Sequence, residues 1–134
     1  MIIDNQKIEL GENKIIQIPI SKLASGTDLY LSIHVFRSNK KGPCVLFAGG
    51  LHGDEINGVE IIRRLLRTKT LDRLKGTLIA VPIVNVFGFN SKSRYLPDRR
   101  DLNRCFPGSP SGSLAARLAH LLMDQIVRFP IIKF

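Results

Sequence analysis

Apolar and polar positions divide the first part of the chain into strands and one helix. Residues 14–20 and 28–36 alternate or are continuously apolar, with a glycine-containing connection between them, which predicts two strands that form a hairpin. Residues 43–48 are wholly apolar without alternation, which is typical of a strand buried on both faces. Apolar residues at helical spacing predict a helix over about residues 54–67, and residues 77–83 form another apolar strand. Strand, helix and strand in this order predict a parallel crossover unit.

The later part of the chain contains a long segment without periodicity. Residues 85–113 are rich in glycine and proline, which predicts a long loop, and such loops in compact domains are usually functional or disordered. Ser113 can cap a following amphipathic helix over about residues 114–128. Residues 129–134 resemble the start of another strand. Without repeats or a linker, we expect residues 1–134 to form a single α/β domain.

Composition narrows the class of protein. The 134 residues are 44% hydrophobic and 23% charged, which is ordinary for a globular domain with one core. No apolar run could span a bilayer and the N-terminus lacks the features of a signal peptide, so we predict a cytoplasmic protein without a membrane partner. Cys44 and Cys105 suggest neither a disulfide framework nor a zinc cluster. The net charge of +9 comes without a nucleic-acid-binding signature, so we predict no nucleic-acid partner.

A glycine-rich stretch after the buried strand holds the first candidate site residues. It reads Gly-Gly-Leu-His-Gly-Asp-Glu over residues 49–55 and opens the predicted helix. Sites in parallel sheets gather at the carboxyl ends of strands. His52 and Glu55 are three residues apart, on the same side of the chain, and their imidazole and carboxylate groups suit zinc. Alternatively, His52 caps the strand end and Glu55 favours the first helical turn through the helix dipole.

A second polar stretch follows the next predicted strand. Residues 101–108 read Asp-Leu-Asn-Arg-Cys-Phe-Pro-Gly. Arg104 offers a planar fork for a carboxylate, and Asn103 adds amide donors. Alternatively, this is a solvated loop in which Asp98 and Asp101 pair with neighbouring arginines.

Together the two motifs resemble the succinylglutamate desuccinylase/aspartoacylase family, which are zinc hydrolases related in fold to the metallocarboxypeptidases. The resemblance runs from about residue 43 to 128 and implies a zinc-peptidase-like mixed sheet with flanking helices. It implies that His52 and Glu55 bind Zn²⁺. It also implies that Asn103 and Arg104 bind a small-molecule carboxylate substrate, with Arg104 gripping the carboxylate.

The resemblance also implies a reaction, the hydrolysis of the amide bond of an N-acyl amino acid or a related compound. Zinc lowers the pKa of a bound water and polarises the carbonyl. Arg94 is implied to stabilise the developing oxyanion, and Asp101 to orient its neighbours. A glutamate is implied as the general base.

The sequence departs from the family at its C-terminus. In the family, the third zinc ligand is a histidine in an Asp-Leu-His context on the strand after the last helix. In this sequence that strand is expected to begin at about residues 130–132. The catalytic glutamate lies further on. We therefore expect a fold incomplete at its C-terminus, inactive as this chain. An unpaired sheet edge would invite association, which leaves a homo-oligomer open. We expect a structural role for His34 and a solvated position for His120.

Three alternatives to the deacylase stay open. The first is a metallocarboxypeptidase-like peptide hydrolase. The second is a non-catalytic binding or assembly fragment without metal. The third is a nucleic-acid-binding protein, whose binding would weaken steeply with salt.

Overall fold

The computed structural model of the chain describes residues 1–129 and the backbone of a strand at 131–133. In this part of the chain the main sheet is mixed and has the order β3-β4-β6-β5-β7. Its strands are β3 (Asn13–Lys22), β4 (Asp28–Arg37), β5 (Cys44–Ala48), β6 (Thr77–Val81) and β7 (Ile131–Lys133). A separate small hairpin consists of β1 (Ile2–Ile3) and β2 (Gln6–Lys7). The helices are α1 (Asn57–Leu65), α2 (Val86–Ser91) and α3 (Leu114–Leu122), and α3 continues into a wider π-helical turn, Met123–Val127.

Strand pairing confirms both predicted units. The strands β3 and β4 form an antiparallel hairpin with an irregularity between Pro19 and Ser21. The strands β5 and β6 run parallel, with Cys44 opposite Thr77. They are joined through α1, so the crossover unit is present. Strand β7 adds to β5 in parallel, as expected for a strand near residues 130–132, although Pro130 itself lies outside the described residues.

One face of the sheet carries most of the core. Alternate residues of β4 are buried on this face, and the helical segment 114–127 packs apolar residues into the same cluster. The fully buried members, with at most 1% of their surface exposed, include Ile16, Leu31, Ile33, Val35, Ile79, Leu102, Ala119 and Ile126. Apolar residues therefore recur at every second position of β4 because one face of the strand is buried. The carboxyl ends of β5 and β6 lie side by side at one edge of this layer, where the polar loops begin.

Strand β5 differs from the prediction of burial on both faces. Leu46 is the one buried residue of this strand, with 8% of its surface exposed, and Ala48 is exposed. Its neighbour β6 is the strand that is buried throughout, from Leu78 to Val81. A continuous apolar run therefore identified the inner strands but did not distinguish which of the two has both faces covered.

Element boundaries also differ from the predictions near the loops. Helix α1 begins at Asn57 rather than at residue 54, because the preceding residues form a turn in which the Glu55 amide donates to the His52 carbonyl (3.2 Å). Strand β6 ends at Val81 rather than at residue 83. The amide of Val84 donates instead to the Gly49 carbonyl (2.9 Å), which ties the two strand ends together.

The segment 85–113 is ordered and contains structure that its sequence pattern did not predict. Helix α2 lies at its start, and a 3₁₀ turn forms at Leu102–Arg104. Ser113 caps α3 as predicted, because its side chain accepts from the Ala116 amide (3.3 Å). No helix in the described residues is long and apolar enough to cross a membrane.

Helix α1 presents a charge cluster to solvent. The Glu60 carboxylate accepts from Arg63 Nη2 (2.8 Å) and from Arg64 Nε (2.7 Å). Hydrogen bonds from Arg63 and then Arg64 lower the pKa of Glu60 to about 2. We expect an NMR titration of Glu60 to show this low midpoint, and Arg63→Ala to move it back towards the ordinary range. Because the folded-state pKa is the lower one, the stabilisation is complete above the ordinary carboxyl pKa and is lost as the pH falls towards about 2. An unchanged midpoint in Arg63→Ala would contradict the assignment.

Candidate active site

The loop after β5 carries His52 into the protein. The Gly49 amide donates to the Val81 carbonyl (2.9 Å), so the loop leaves the sheet beside the end of β6. Gly50 has a positive φ of 57°, a conformation that glycine adopts without the steric penalty of a Cβ. The His52 side chain that follows is only 7% exposed.

Helix α2 is packed directly against this loop. A Cβ on Gly53 would overlap the carbonyl group of Gly88 and the amide of Phe89, so the two backbones are in contact. The Gly53 amide donates to the Ser93 carbonyl (3.0 Å). Asn85 caps α2, since its side chain accepts from the Gly88 amide (2.8 Å). The sequence signal for this short helix is an asparagine followed three residues later by a glycine. This signal is too weak to distinguish a helix from a turn.

The segment after α2 brings Arg94 and Asp101 to the same place. The chain turns at residues 96–100, where Arg99 adopts a left-handed φ of 61° and the Leu96 amide donates to the Arg100 carbonyl (3.1 Å). Asp101 then caps the 3₁₀ turn, because Oδ1 accepts from the Asn103 amide (2.9 Å). The alternative interpretation of a solvated loop paired Asp98 with arginines, whereas in the structure Asp98 accepts backbone amides, including that at the start of α3.

His52 lies between two carboxylates. Its Nε2 is 3.0 Å from Asp101 Oδ1, and its Nδ1 is 2.9 Å from Glu55 Oε1. A carboxylate only accepts, whereas a neutral imidazole has one N–H. Asp101 is the more buried of the two acceptors, 15% exposed against 62% for Glu55. With the single N–H on Nε2 towards Asp101, the lone pair of Nδ1 faces the Glu55 carboxylate, and these two acceptors then need a proton or a cation between them.

Arg94 completes the cluster on the side of Asp101. Its Nε and Nη2 both donate to Asp101 Oδ2, at 3.2 Å and 3.0 Å. Its Nη1 is 3.9 Å from Glu55 Oε1, and the side chain stays partly open to solvent. A single carboxylate therefore holds both the imidazole and the guanidinium.

These contacts set the acidity of Asp101. Partial burial by itself would raise the pKa of this carboxyl group. The Asn103 amide, His52 and Arg94 together outweigh the burial, so the pKa of Asp101 lies below its usual value. Asp101 is therefore an ionised acceptor at neutral pH, as an orienting residue must be.

The structure brings together four of the six residues singled out from the sequence. His52, Glu55, Arg94 and Asp101 form one hydrogen-bonded group. Asn103 and Arg104 lie two and three residues after Asp101 but are exposed. In the described part of the chain their side chains form no hydrogen bond or ion pair, so they do not join the group around His52.

The donor set fits two protein ligands of a zinc ion. Imidazole nitrogen and carboxylate oxygen both bind zinc, and Asp101 behind the imidazole is the usual support for a metal-bound histidine. Within residues 1–129 no group of three or more histidine, cysteine, aspartate or glutamate residues is placed to hold a metal. His34 and His120, the other histidines, are half-buried on β4 and α3. His52 and Glu55 therefore fit a metal as a pair.

Comparisons with known proteins match the same region. The sequence profile of the succinylglutamate desuccinylase/aspartoacylase catalytic domain matches residues 41–131. The chain is 30% identical over 113 residues to the N-alpha-acetyl-L-2,4-diaminobutyric acid deacetylase of Halomonas elongata, covering 84% of this chain and 33% of that protein.

Solved structures agree on the fold. A succinylglutamate desuccinylase/aspartoacylase from Rhodobacter sphaeroides matches with a TM-score of 0.80 and 35% identity, over 96% of this chain and 41% of that chain. The product-bound ectoine utilization protein EutE from Ruegeria pomeroyi matches with a TM-score of 0.76 and 28% identity, over 92% and 39%. The chain thus spans about a third of the length of the curated relative and about two fifths of these structures.

The mixed sheet with flanking helices therefore has the fold expected from the two motifs. The matched residues, 41–131, make up more than half of the chain and contain every member of the group around His52. This chain belongs to the succinylglutamate desuccinylase/aspartoacylase family of deacylating hydrolases.

Proposed function

We propose that this chain contributes His52 and Glu55 as two zinc ligands to a hydrolase that cleaves the amide bond of an N-acyl amino acid or a related compound. The observation that supports this most is the position of His52 between Asp101 and Glu55. A histidine that merely stabilised the strand end would need only one of these carboxylates. With the N–H on Nε2, Nδ1 and Oε1 are two acceptors that need a proton or a cation between them, and we propose that a metal cation takes this place.

Each residue of the site has a separate role in this proposal. Zinc, when bound, activates a water molecule and polarises the scissile carbonyl. Asp101 holds the Nε2–H of His52 and so presents Nδ1 towards Glu55. Arg94 is held by the same carboxylate with its guanidinium partly open, where it can donate to the oxyanion that develops during hydrolysis.

The substrate in the proposal is a small carboxylate. Asn103 and Arg104 lie on the turn that Asp101 caps, and both side chains are exposed and free of partners among the described residues. A guanidinium fork binds a carboxylate through two parallel hydrogen bonds. The match to a deacetylase of an acylated amino acid favours such a substrate over a peptide.

We further propose that the 134-residue chain by itself binds zinc weakly and does not turn over substrate. Catalytic zinc commonly has three protein ligands, and the described residues offer two. A general base typically contributes about a hundred- to ten-thousand-fold in rate, and none is proposed among the described residues. Self-association, a cytoplasmic location and the absence of a nucleic-acid partner stay predictions from the sequence.

Zinc binding to matched histidine variants tests the proposal. We expect isothermal titration calorimetry to show one weak, readily chelated site in the wild-type chain, with affinity at least about tenfold lower in His52→Ala, because one of its ligands is removed. His120→Ala is the matched control and should bind zinc as the wild type does.

Three outcomes would contradict parts of the proposal. Equal zinc binding by wild type and His52→Ala would remove His52 from the metal site. Zinc-dependent hydrolysis of N-acyl amino acids by the wild-type chain, lost in His52→Ala, would refute the proposed inactivity. A wild-type chain that binds no zinc would contradict the metal site and favour the alternative of a non-catalytic fragment.

A further inference from the structure

Asn85 and His52 are the two buried polar residues in the part of the chain that the structure describes. The Asn85 side chain has no exposed surface and uses both ends of its amide. Its Oδ1 accepts from the Gly88 amide (2.8 Å), and its Nδ2 donates to the Arg94 carbonyl (3.3 Å). The orientation of the amide follows from its partners, since a backbone N–H needs an acceptor and a carbonyl needs a donor.

The main chain of Asn85 makes two more connections. Its amide donates to the Gly50 carbonyl (2.8 Å), two residues before His52. Its carbonyl accepts from the Phe89 amide (2.9 Å), in the first turn of α2. One buried residue therefore joins three segments: the loop of His52, helix α2 and the backbone of Arg94.

We propose that Asn85 is a positioning residue that sets the place of Arg94 relative to His52. Among the described residues, the hydrogen bonds of Asn85 go to α2, Gly50 and the Arg94 carbonyl, and not to the imidazole or the guanidinium. It acts on Arg94 through the main-chain carbonyl, and on the His52 loop through Gly50. The consequence for amide hydrolysis rests on the proposed function, whereas the positioning itself does not.

The chemistry of the side chain explains why asparagine is needed here. The cap of α2 requires an acceptor for the Gly88 amide, and the Arg94 carbonyl requires a donor. The side-chain amide of asparagine carries an acceptor and a donor next to each other. Serine keeps an oxygen for the cap but places nothing where Nδ2 stands. Aspartate would place a second acceptor against the Arg94 carbonyl. Asn85→Ser therefore removes the link to Arg94 while it retains a cap for α2.

The test follows the Arg94 guanidinium by NMR. The Nε–H of Arg94 donates to Asp101, so its exchange with solvent reports how firmly the side chain is held. In Asn85→Ser we expect this exchange to be about two- to tenfold faster, the factor for losing one hydrogen bond. The matched control is Ser113→Ala, which loses the cap of α3 and should leave the Arg94 exchange unchanged.

Two results would overturn the inference. The first is an exchange rate of the Arg94 Nε–H in Asn85→Ser that equals the wild-type rate. The second is an exchange rate in Ser113→Ala as fast as that in Asn85→Ser, which would indicate general destabilisation. If Asn85→Ser does not fold, the Nδ2 protons of Asn85 in the wild type serve instead. The inference requires one of them to be protected, and rapid exchange of both would refute it. None of these readouts needs zinc or substrate, so a failure of the proposed hydrolysis would leave the positioning result standing.

Discussion

Replacing Gly53 by alanine is expected to destabilise the fold by more than about 3 kcal/mol, the upper part of the range for overpacking. The added Cβ would occupy the space of the Gly88 carbonyl group and the Phe89 amide. These are backbone atoms, so no change of rotamer relieves the overlap. Either α2 or the loop of His52 has to move, and the hydrogen bond from the Gly53 amide to the Ser93 carbonyl is then lost.

The measurement is urea unfolding of Gly53→Ala beside Gly58→Ala. Gly58 is a matched control because it lies in α1, and a Cβ there would come no closer than 3.6 Å to Gly49 Cα. Alanine is favoured over glycine in a helix, so Gly58→Ala should be neutral or stabilising by up to about 1 kcal/mol. Unfolding midpoints that agree between the two variants would show that the close approach of Gly53 to α2 does not exist.

Replacing Asp101 by alanine is expected to lower zinc affinity by about ten- to a hundredfold, the usual effect of removing the group that supports a metal-bound histidine. The change leaves His52 Nε2 and two guanidinium N–H groups of Arg94 without their carboxylate. The imidazole can then rotate, and Nδ1 is no longer held towards Glu55. Asp101→Asn should have a smaller effect, since one oxygen remains as an acceptor.

Asp98→Ala provides the control for damage to the loop. Asp98 lies on the same segment and accepts backbone amides of Arg100 and Ala115, but it does not contact His52. Calorimetric titration with zinc should give near wild-type affinity for Asp98→Ala. If Asp101→Ala binds zinc as tightly as Asp98→Ala does, Asp101 does not orient the ligand.

The acidity of Asp101 also makes the group around His52 sensitive to pH. Its pKa is lower in the folded chain than in the unfolded one. The contribution of its hydrogen bonds is therefore complete above the ordinary carboxyl pKa and is lost as the pH falls through the lower folded-state value. In Asp101→Asn this part of the acid sensitivity should disappear.

The sequence by itself determined the elements that have a strong local signal. Alternation identified β3 and β4, because one face of an antiparallel hairpin is buried and the other is not. The apolar runs identified β5 and β6, and the helical spacing identified α1 and α3, with end positions within three residues when the π-helical turn is counted with α3. The motifs around His52 and Asp101 indicated the family, which the profile match over residues 41–131 confirms.

Only the tertiary structure decided how these pieces meet. Helix α2 has six residues, too few for a periodic pattern, and it is stabilised by the Asn85 cap and by contact with Gly53. The partner of His52 Nε2 is 49 positions away in sequence, so no local pattern could assign it. Both β5 and β6 lie inside the sheet, so their place in the strand order does not by itself explain why β6 is the more deeply buried. Local propensity acts over a few residues, whereas burial and long-range hydrogen bonds depend on the whole fold. The roles of Asn85 and α2 are therefore seen only there, as are the hydrogen-bond partners of Asp101, a residue that the resemblance had already named.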